Sequence, residues 1–183
     1  MQESIESQLK ESVRILKTGG VIIFPTDTVY GIGCAYDNKA GIERIYEIKK
    51  RPKYKPLQIL ISDIKQLDAL AAEIPAAAQE LMEKYWPGAL TLILKTKGQR
   101  LNTIGIRMPN HPIPLQIIKE LGKPLAATSA NLSGEPDPSS PAEITIKADY
   151  LIDAGKIENP QASSVIDVTC NPPKILRKGR IKI

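Results

Sequence analysis

One histidine, His111, and two cysteines, Cys34 and Cys170, are all that the 183-residue chain offers to imidazole or thiolate chemistry. A site built on two imidazoles is therefore excluded. The cysteines lie far apart and form no C-x-x-C pair, which argues against a zinc ribbon, an iron–sulfur site or a disulfide framework. Two unpaired thiols fit a reducing compartment. Aromatic residues make up only 4% of the chain, which weakens any model in which bases stack on a ring-lined groove. No apolar run approaches the ~20 residues of a membrane span, and the acid-bearing start, Met1 to Gly20, has no signal-peptide pattern. A soluble, cytoplasmic protein is expected. No G-x-x-x-x-G-K-[ST] phosphate loop is present, and Gly31-Ile32-Gly33 lacks the third glycine of a dinucleotide fingerprint. A Cys34–His111 nucleophile pair stays open beside the plainer reading, in which Cys34 packs after a glycine turn and His111 sits in a loop.

What is present describes an ordinary globule. Hydrophobic residues at 42% and charged residues at 25% rule out wholesale disorder. The length corresponds to one domain, large enough to bury a core without covalent staples. Lys and Arg outnumber Asp and Glu by 25 to 20, a net charge of +5 that suits an anionic ligand without naming one. Ile5, Leu9, Val13 and Leu16 recur at helical spacing before Gly19-Gly20, and Ile42, Ile45 and Ile48 mark a second helix. Further helices are expected from Ser62 or Asp63 to Leu70, over 76–85 and over 113–121. Strands are expected over 21–24, 57–61, 90–94, 103–107, 125–127, 150–152, 165–168 and 174–177. The alternation predicts a single α/β domain with a mixed sheet.

Between these elements lie loops bearing hydroxyls, amides and cations. Thr26 and Thr28 follow the first strand. Lys49, Arg51, Lys53 and Lys55 share one proline-bracketed loop. Arg107 ends a strand, Ser129 and Asn131 follow another, and Arg177 ends the last. Ligands of open α/β sheets bind in crevices at strand ends, where Lys and Arg match phosphate charge and Ser, Thr and Asn supply neutral donors. Taken singly each has a plain reading: a solvated basic loop, a turn, a surface ion pair worth little, a helix cap. Together they indicate an anion-binding α/β domain that holds a polyphosphate without a P-loop.

The same segments resemble the YrdC-like domain family of threonylcarbamoyl-AMP synthases. Pro25-Thr26-Asp27-Thr28-Val29-Tyr30-Gly31-Ile32-Gly33-Cys34 is similar to the family signature. Lys49-Lys50-Arg51-Pro52 through Lys55-Pro56-Leu57 is similar to its K-x-R block, Trp86-Pro87-Gly88 to its W-P-G turn, and Thr128-Ser129-Ala130-Asn131 to its S-x-N block. Gly105-Ile106-Arg107, Ser163-Ser164-Val165-Ile166-Asp167 and Ile175-Leu176-Arg177 match further blocks. The order is kept from about Gly20 to Ile181.

The resemblance implies a twisted sheet of parallel and antiparallel strands with flanking helices and a basic concave face. It implies one domain over residues 1–183, with no second C-terminal domain, so that any lid would come from the chain's own loops around 128–141. The implied reaction joins L-threonine, bicarbonate and ATP into threonylcarbamoyl-adenylate and pyrophosphate. The product serves threonylcarbamoyladenosine formation in tRNA through downstream transfer proteins. Lys49, Arg51, Lys55, Thr103, Ser129, Asn131 and Arg177 match ATP-side positions, with Lys49 and Arg51 catalytic at the triphosphate. Thr28, Arg107 and Ser163 match positions around threonine. Magnesium would arrive with ATP, and Asp27 is the carboxylate that could meet it. Competing readings are a module binding tRNA or double-stranded RNA and a relative acting on another carbamoyl or acyl substrate. The chain departs from the family at Asp137, where serine is usual, at Lys50, where glycine is common, and at Leu60, where some members carry a polar residue. A carboxylate at 137 would repel a triphosphate unless a metal intervenes or the loop turns outward.

Overall fold

The computed structural model describes residues 3–97 and 103–182. In chain order the elements are α1 (Ile5–Lys17), β1 (Ile22–Phe24), β2 (Gly31–Ala35), α2 (Lys39–Lys49), β3 (Gln58–Leu60), α3 (Leu67–Leu70), α4 (Ala76–Tyr85), β4 (Leu90–Lys95), β5 (Thr103–Arg107), α5 (Pro112–Leu121), β6 (Leu125–Ser129), β7 (Tyr150–Leu151), β8 (Ser164–Asp167) and β9 (Lys174–Arg177). The strands form one sheet in the order β7-β1-β2-β6-β3-β5-β4-β8-β9. Pairs β1/β7, β3/β5 and β4/β8 are parallel; the other neighbours are antiparallel. The mixed sheet expected from the sequence is present, with helices flanking it.

Local chemistry sets the helix ends. Ser4 caps α1 by accepting from the Ser7 amide at 3.2 Å, and Leu9, Val13 and Leu16 form its buried stripe. Asn38 caps α2 through the Gly41 amide. His111 caps α5, its Nδ1 accepting from the Ile113 amide at 3.2 Å, and Pro112 takes the first helical position, where a missing N–H costs nothing. His111 is thus a capping residue rather than a bare loop residue. α1 packs on α5 and α2 on β2.

Segment 31–35 departs from expectation. The sequence suggests a glycine turn there; the structure has β2, paired on both edges. Its small residues answer to crowding. A Cβ on Gly33 would stand 2.9 Å from the Ala126 carbonyl oxygen and 3.1 Å from the Phe24 ring, so a larger residue would push β6 and β1 apart. Cys34 on this strand is wholly buried, and burial pushes its thiol up to about 12. It stays protonated and packs; it is no nucleophile. The helix expected from Ser62 or Asp63 to Leu70 is instead a 3₁₀ turn, Ile64–Gln66, capped by Asp63, followed by the single turn of α3.

Alternation along the strands divides the sheet into two faces. Leu92 of β4 stands between Ile106 of β5 and Ile166 of β8, all buried in the core. Thr91, Ile93, Gly105, Arg107 and Val165, one residue out of phase, therefore face the other way. No helix among the described residues is long and apolar enough to cross a membrane.

Lys50 ends α2 at φ 49°, in the left-handed region. A side chain there costs ~1–2 kcal/mol, and glycine relieves it at some cost in unfolded-chain entropy. Lys50→Gly is expected to raise the unfolding free energy by about 0.5–1 kcal/mol in urea titrations. A loss of stability would show that the lysine head contributes more than its backbone costs.

Candidate functional site

On the outward face of the sheet lies a cavity of about 230 Å³. Its floor is strand surface: Ala127 and Ser129 of β6, Gln58 of β3, Gly105 and Arg107 of β5, Thr91 and Ile93 of β4, Val165 of β8 and Arg177 of β9. Gly105 keeps the floor open, since a Cβ there would stand 3.3 Å from both Thr91 and Ile93 side chains. Thr28, Val29, Arg51, Pro56 and Asp137, from the loops around the sheet, complete the lining.

Arg107 carries the most constrained charge. It ends β5 with its side chain 2% exposed. Nε donates to the Gly88 carbonyl at 3.0 Å, Nη1 to Thr28 Oγ1 at 2.9 Å, and Nη2 to Asp27 Oδ1. The Trp86-Pro87-Gly88 turn therefore supplies a carbonyl that aims a guanidinium. Burial pushes the Arg107 pKa down and Asp27 opposes that shift. The Thr26–Thr28 loop is itself pinned: Thr26 Oγ1 accepts from the amides of Thr28 and Val29 at 3.1 and 3.2 Å. Asp27 is thus engaged as the partner of Arg107.

A polar chain crosses the sheet beside it. Arg177 donates from Nε to the Ser163 carbonyl at 2.9 Å and from Nη2 to Ser163 Oγ at 3.0 Å. Ser163 Oγ lies 2.8 Å from Thr91 Oγ1, which donates to Gln58 Oε1 at 3.0 Å. Thr91 has one hydroxyl hydrogen and gives it to Gln58, so Ser163 donates to Thr91. Ser163 and Thr91 are buried; the chain sets the direction of each dipole beneath the cavity.

Arg51 is held by the loop it begins, donating to the Lys55 and Pro56 carbonyls at 2.9 and 3.1 Å. Burial lowers its pKa, and the neighbouring Arg177 lowers it further. Two cations confronting each other across a partly dry cavity favour an anion between them.

The expected residues separate into three groups. Thr28, Arg51, Arg107, Ser129, Ser163 and Arg177 line one cavity. Lys49 and Asn131 lie behind it. The buried Lys49 ammonium is turned to the carbonyls of Ser129 and Asn131 and to Asn131 Oδ1 at 3.1 Å, while Ser129 Oγ donates to Asn131 Oδ1 at 2.6 Å. Burial lowers the Lys49 pKa to about 8, with Arg51 adding to the shift and Asp137 opposing it. Lys55 and Thr103 are exposed and do not line the cavity. Lys55 contributes its carbonyl to Arg51; Thr103 shares a strand face with Gly105 but stands two residues beyond it, opposite Lys95. Gln58, Thr91 and Gly105 line the cavity without having been expected as site residues. Thr91 had a visible signal, a hydroxyl within the apolar strand Leu90-Thr91-Leu92-Ile93-Leu94.

The donor set fits an anion with a polyphosphate and a carboxylate part. Arg51, Arg107 and Arg177 confront one lining carboxylate, Asp137. No cluster of three His, Cys, Asp or Glu that could cage a metal occurs among the described residues. A metal carried in by its own phosphates needs only one or two carboxylates, and Asp137 is placed to be one.

A family model described as Telomere recombination, the Sua5, YciO and YrdC family, matches residues 14–179. A threonylcarbamoyl-AMP synthase of Bacillus subtilis is 39% identical over 188 residues, covering 96% of this chain and 54% of that protein. The chain thus spans about half the length of that curated relative. The Pyrococcus abyssi Sua5 structure complexed with L-threonine superposes with a TM-score of 0.90 at 36% identity, covering 98% of this chain and 56% of that one. Escherichia coli YciO superposes with a TM-score of 0.85 at 30% identity, covering 97% and 91%.

Removing Asp27 would leave the Arg107 guanidinium buried without its counter-charge, a change that typically costs about 3–5 kcal/mol. Asp27→Ala is expected to lose that much unfolding free energy by urea denaturation. A loss below about 1 kcal/mol would show that Gly88 and Thr28 satisfy Arg107 without it.

Proposed function

The chain belongs to the Sua5/YciO/YrdC family, and on that premise we propose that it is a threonylcarbamoyl-AMP synthase, joining L-threonine, bicarbonate and ATP into threonylcarbamoyl-adenylate with release of pyrophosphate. The observation that carries the reading is the meeting of Thr28, Arg51, Arg107, Ser129, Ser163 and Arg177, drawn from distant segments, around one cavity. A relative with this fold is described in complex with L-threonine.

Arg107 suits the threonine carboxylate, because a guanidinium offers two parallel donors to it. Thr28 and Ser163 flank that end. Arg51 and Arg177, with the Ser129 hydroxyl, face the phosphates. The cavity is smaller than the ~300–1,000 Å³ of common ligand pockets, so in this reading the nucleoside extends outward past the Arg51–Pro56 loop. Lys49 supports the phosphate end from behind, by fixing the Ser129–Asn131 turn. It meets the nucleotide itself only by exchanging a carbonyl for a phosphate oxygen.

The chemistry needs no imidazole. The unprotonated threonine amine attacks the bicarbonate carbon; the new C–N bond replaces a C–O bond, and that oxygen leaves as water with the amine proton, giving a carbamate. A carbamate oxygen attacks the α-phosphorus, the bond to the bridging oxygen breaks, and pyrophosphate leaves with that electron pair. Such a transfer is carried largely by positioning and by fixed charge at the phosphates. Magnesium bound with ATP supplies further charge neutralisation there. The same reading places the protein in the cytoplasm, upstream of proteins that pass the threonylcarbamoyl group to tRNA.

Incubation with ATP, magnesium, bicarbonate and threonine is expected to release pyrophosphate only when threonine is present. Release that ignores threonine, or prefers another amino acid, would replace the assignment. Arg51→Ala is expected to lower turnover by roughly 100-fold or more with an unchanged circular dichroism spectrum. Full retained turnover would remove Arg51 from the site.

A further inference from the structure

We infer that Asp137 is the carboxylate that meets the magnesium ion of MgATP, so that nucleotide binding by this chain depends on the metal. The inference rests on the synthase reading and concerns the position where the sequence departs from the resembling family. Two outcomes were open for a carboxylate in that loop. Asp137 is solvent-exposed, but it stands at the cavity rather than apart from it. It lines the cavity with Arg51, Arg107, Arg177 and Ser129, and its Oδ1 lies 3.3 Å from Asn131 Nδ2.

The loop around it is pinned on both sides. Asn131 Nδ2 donates to the Glu135 carbonyl at 2.6 Å, the Tyr30 amide donates to the Pro138 carbonyl at 2.9 Å, and the Ser139 amide donates to Glu143 at 2.7 Å. This bracing fixes the backbone on both sides of Asp137 beside the cavity, and its side chain is held there by the contact to Asn131. Its charge is felt by Lys49 and by Arg177, each of which it stabilises as a cation. Among the cavity-lining residues it is the sole acid, and the nearby Asp27 is committed to Arg107.

A metal-free triphosphate entering this cavity brings its negative charge against Asp137 and competes with it for Arg177 and Lys49. A divalent ion between phosphate and carboxylate turns that repulsion into attraction. Magnesium is commonly held in this way, by one or two carboxylates together with substrate phosphates and retained water. Asp137 thus selects the magnesium complex over the free nucleotide.

Calorimetric titration of the full chain with ATP, in EDTA and in magnesium chloride, tests this for the wild type, Asp137→Asn and Asp137→Ser. The wild type is expected to bind MgATP at least about tenfold more tightly than metal-free ATP, a difference of about 1.4 kcal/mol. In both variants metal-free ATP should tighten, MgATP should weaken, and the difference should shrink to about twofold. Equal wild-type affinity with and without metal, or undiminished metal dependence in the variants, overturns the inference. So does a variant that tightens metal-free ATP and leaves MgATP unchanged, since Asp137 would then act by repulsion alone. Absence of ATP binding in every condition would instead bring down the synthase reading, and this inference with it.

Discussion

A guanidinium buried at the end of β5 governs the arrangement of the site. Arg107 enters a nearly dry position and is held there by three residues from two other segments: Asp27 and Thr28 from the β1–β2 loop and Gly88 from the turn before β4. An uncompensated charge at that depth would cost several kcal/mol. The loop and the turn therefore cannot drift independently of the strand. The same three contacts place the guanidinium in the cavity lining, so folding stability and the shape of the cavity share one set of bonds.

Elsewhere the cavity is less well balanced. Burial lowers the Arg51 pKa and the charge of Arg177 lowers it further, and the protein groups that Arg51 meets there are backbone carbonyls. Arg177 is fixed by Ser163, whose hydroxyl passes its hydrogen on to Thr91 and so to Gln58. Dipoles oriented before a ligand arrives need no rearrangement when it does. The apolar face of the same strands, with Leu92 between Ile106 and Ile166, anchors this polar face without contributing to it. One-residue alternation lets a single sheet serve as core on one side and as site on the other.

Sequence reasoning worked best where chemistry is local. The helical stripes of α1 and α2, the cap at Asp63, the proline-broken basic loop and the long strands follow from residue types at short spacing. Lys50 was noted as a cation where glycine is common, and it proves to occupy a left-handed helix end. Reasoning failed where crowding from a distant strand decides the conformation. Gly31 and Gly33 look like turn residues until β6 and Phe24 are brought against them. It also blurred the difference between a residue in a site and one behind it. Lys49, Arg51 and Lys55 share one short segment, yet one is buried against carbonyls, one lines the cavity and one is exposed.

The amino-acid order by itself determined the class of fold, the segments that carry charge and hydroxyls, and the cationic character of those segments, because those depend on periodicity and on residue chemistry. Only the tertiary structure decided which of those side chains meet. Whether Asp137 faces the cavity, whether Thr103 reaches it, and which carbonyls claim Lys49 depend on strand register and on contacts between segments many residues apart. Nothing within a short stretch of chain encodes a distance of that kind.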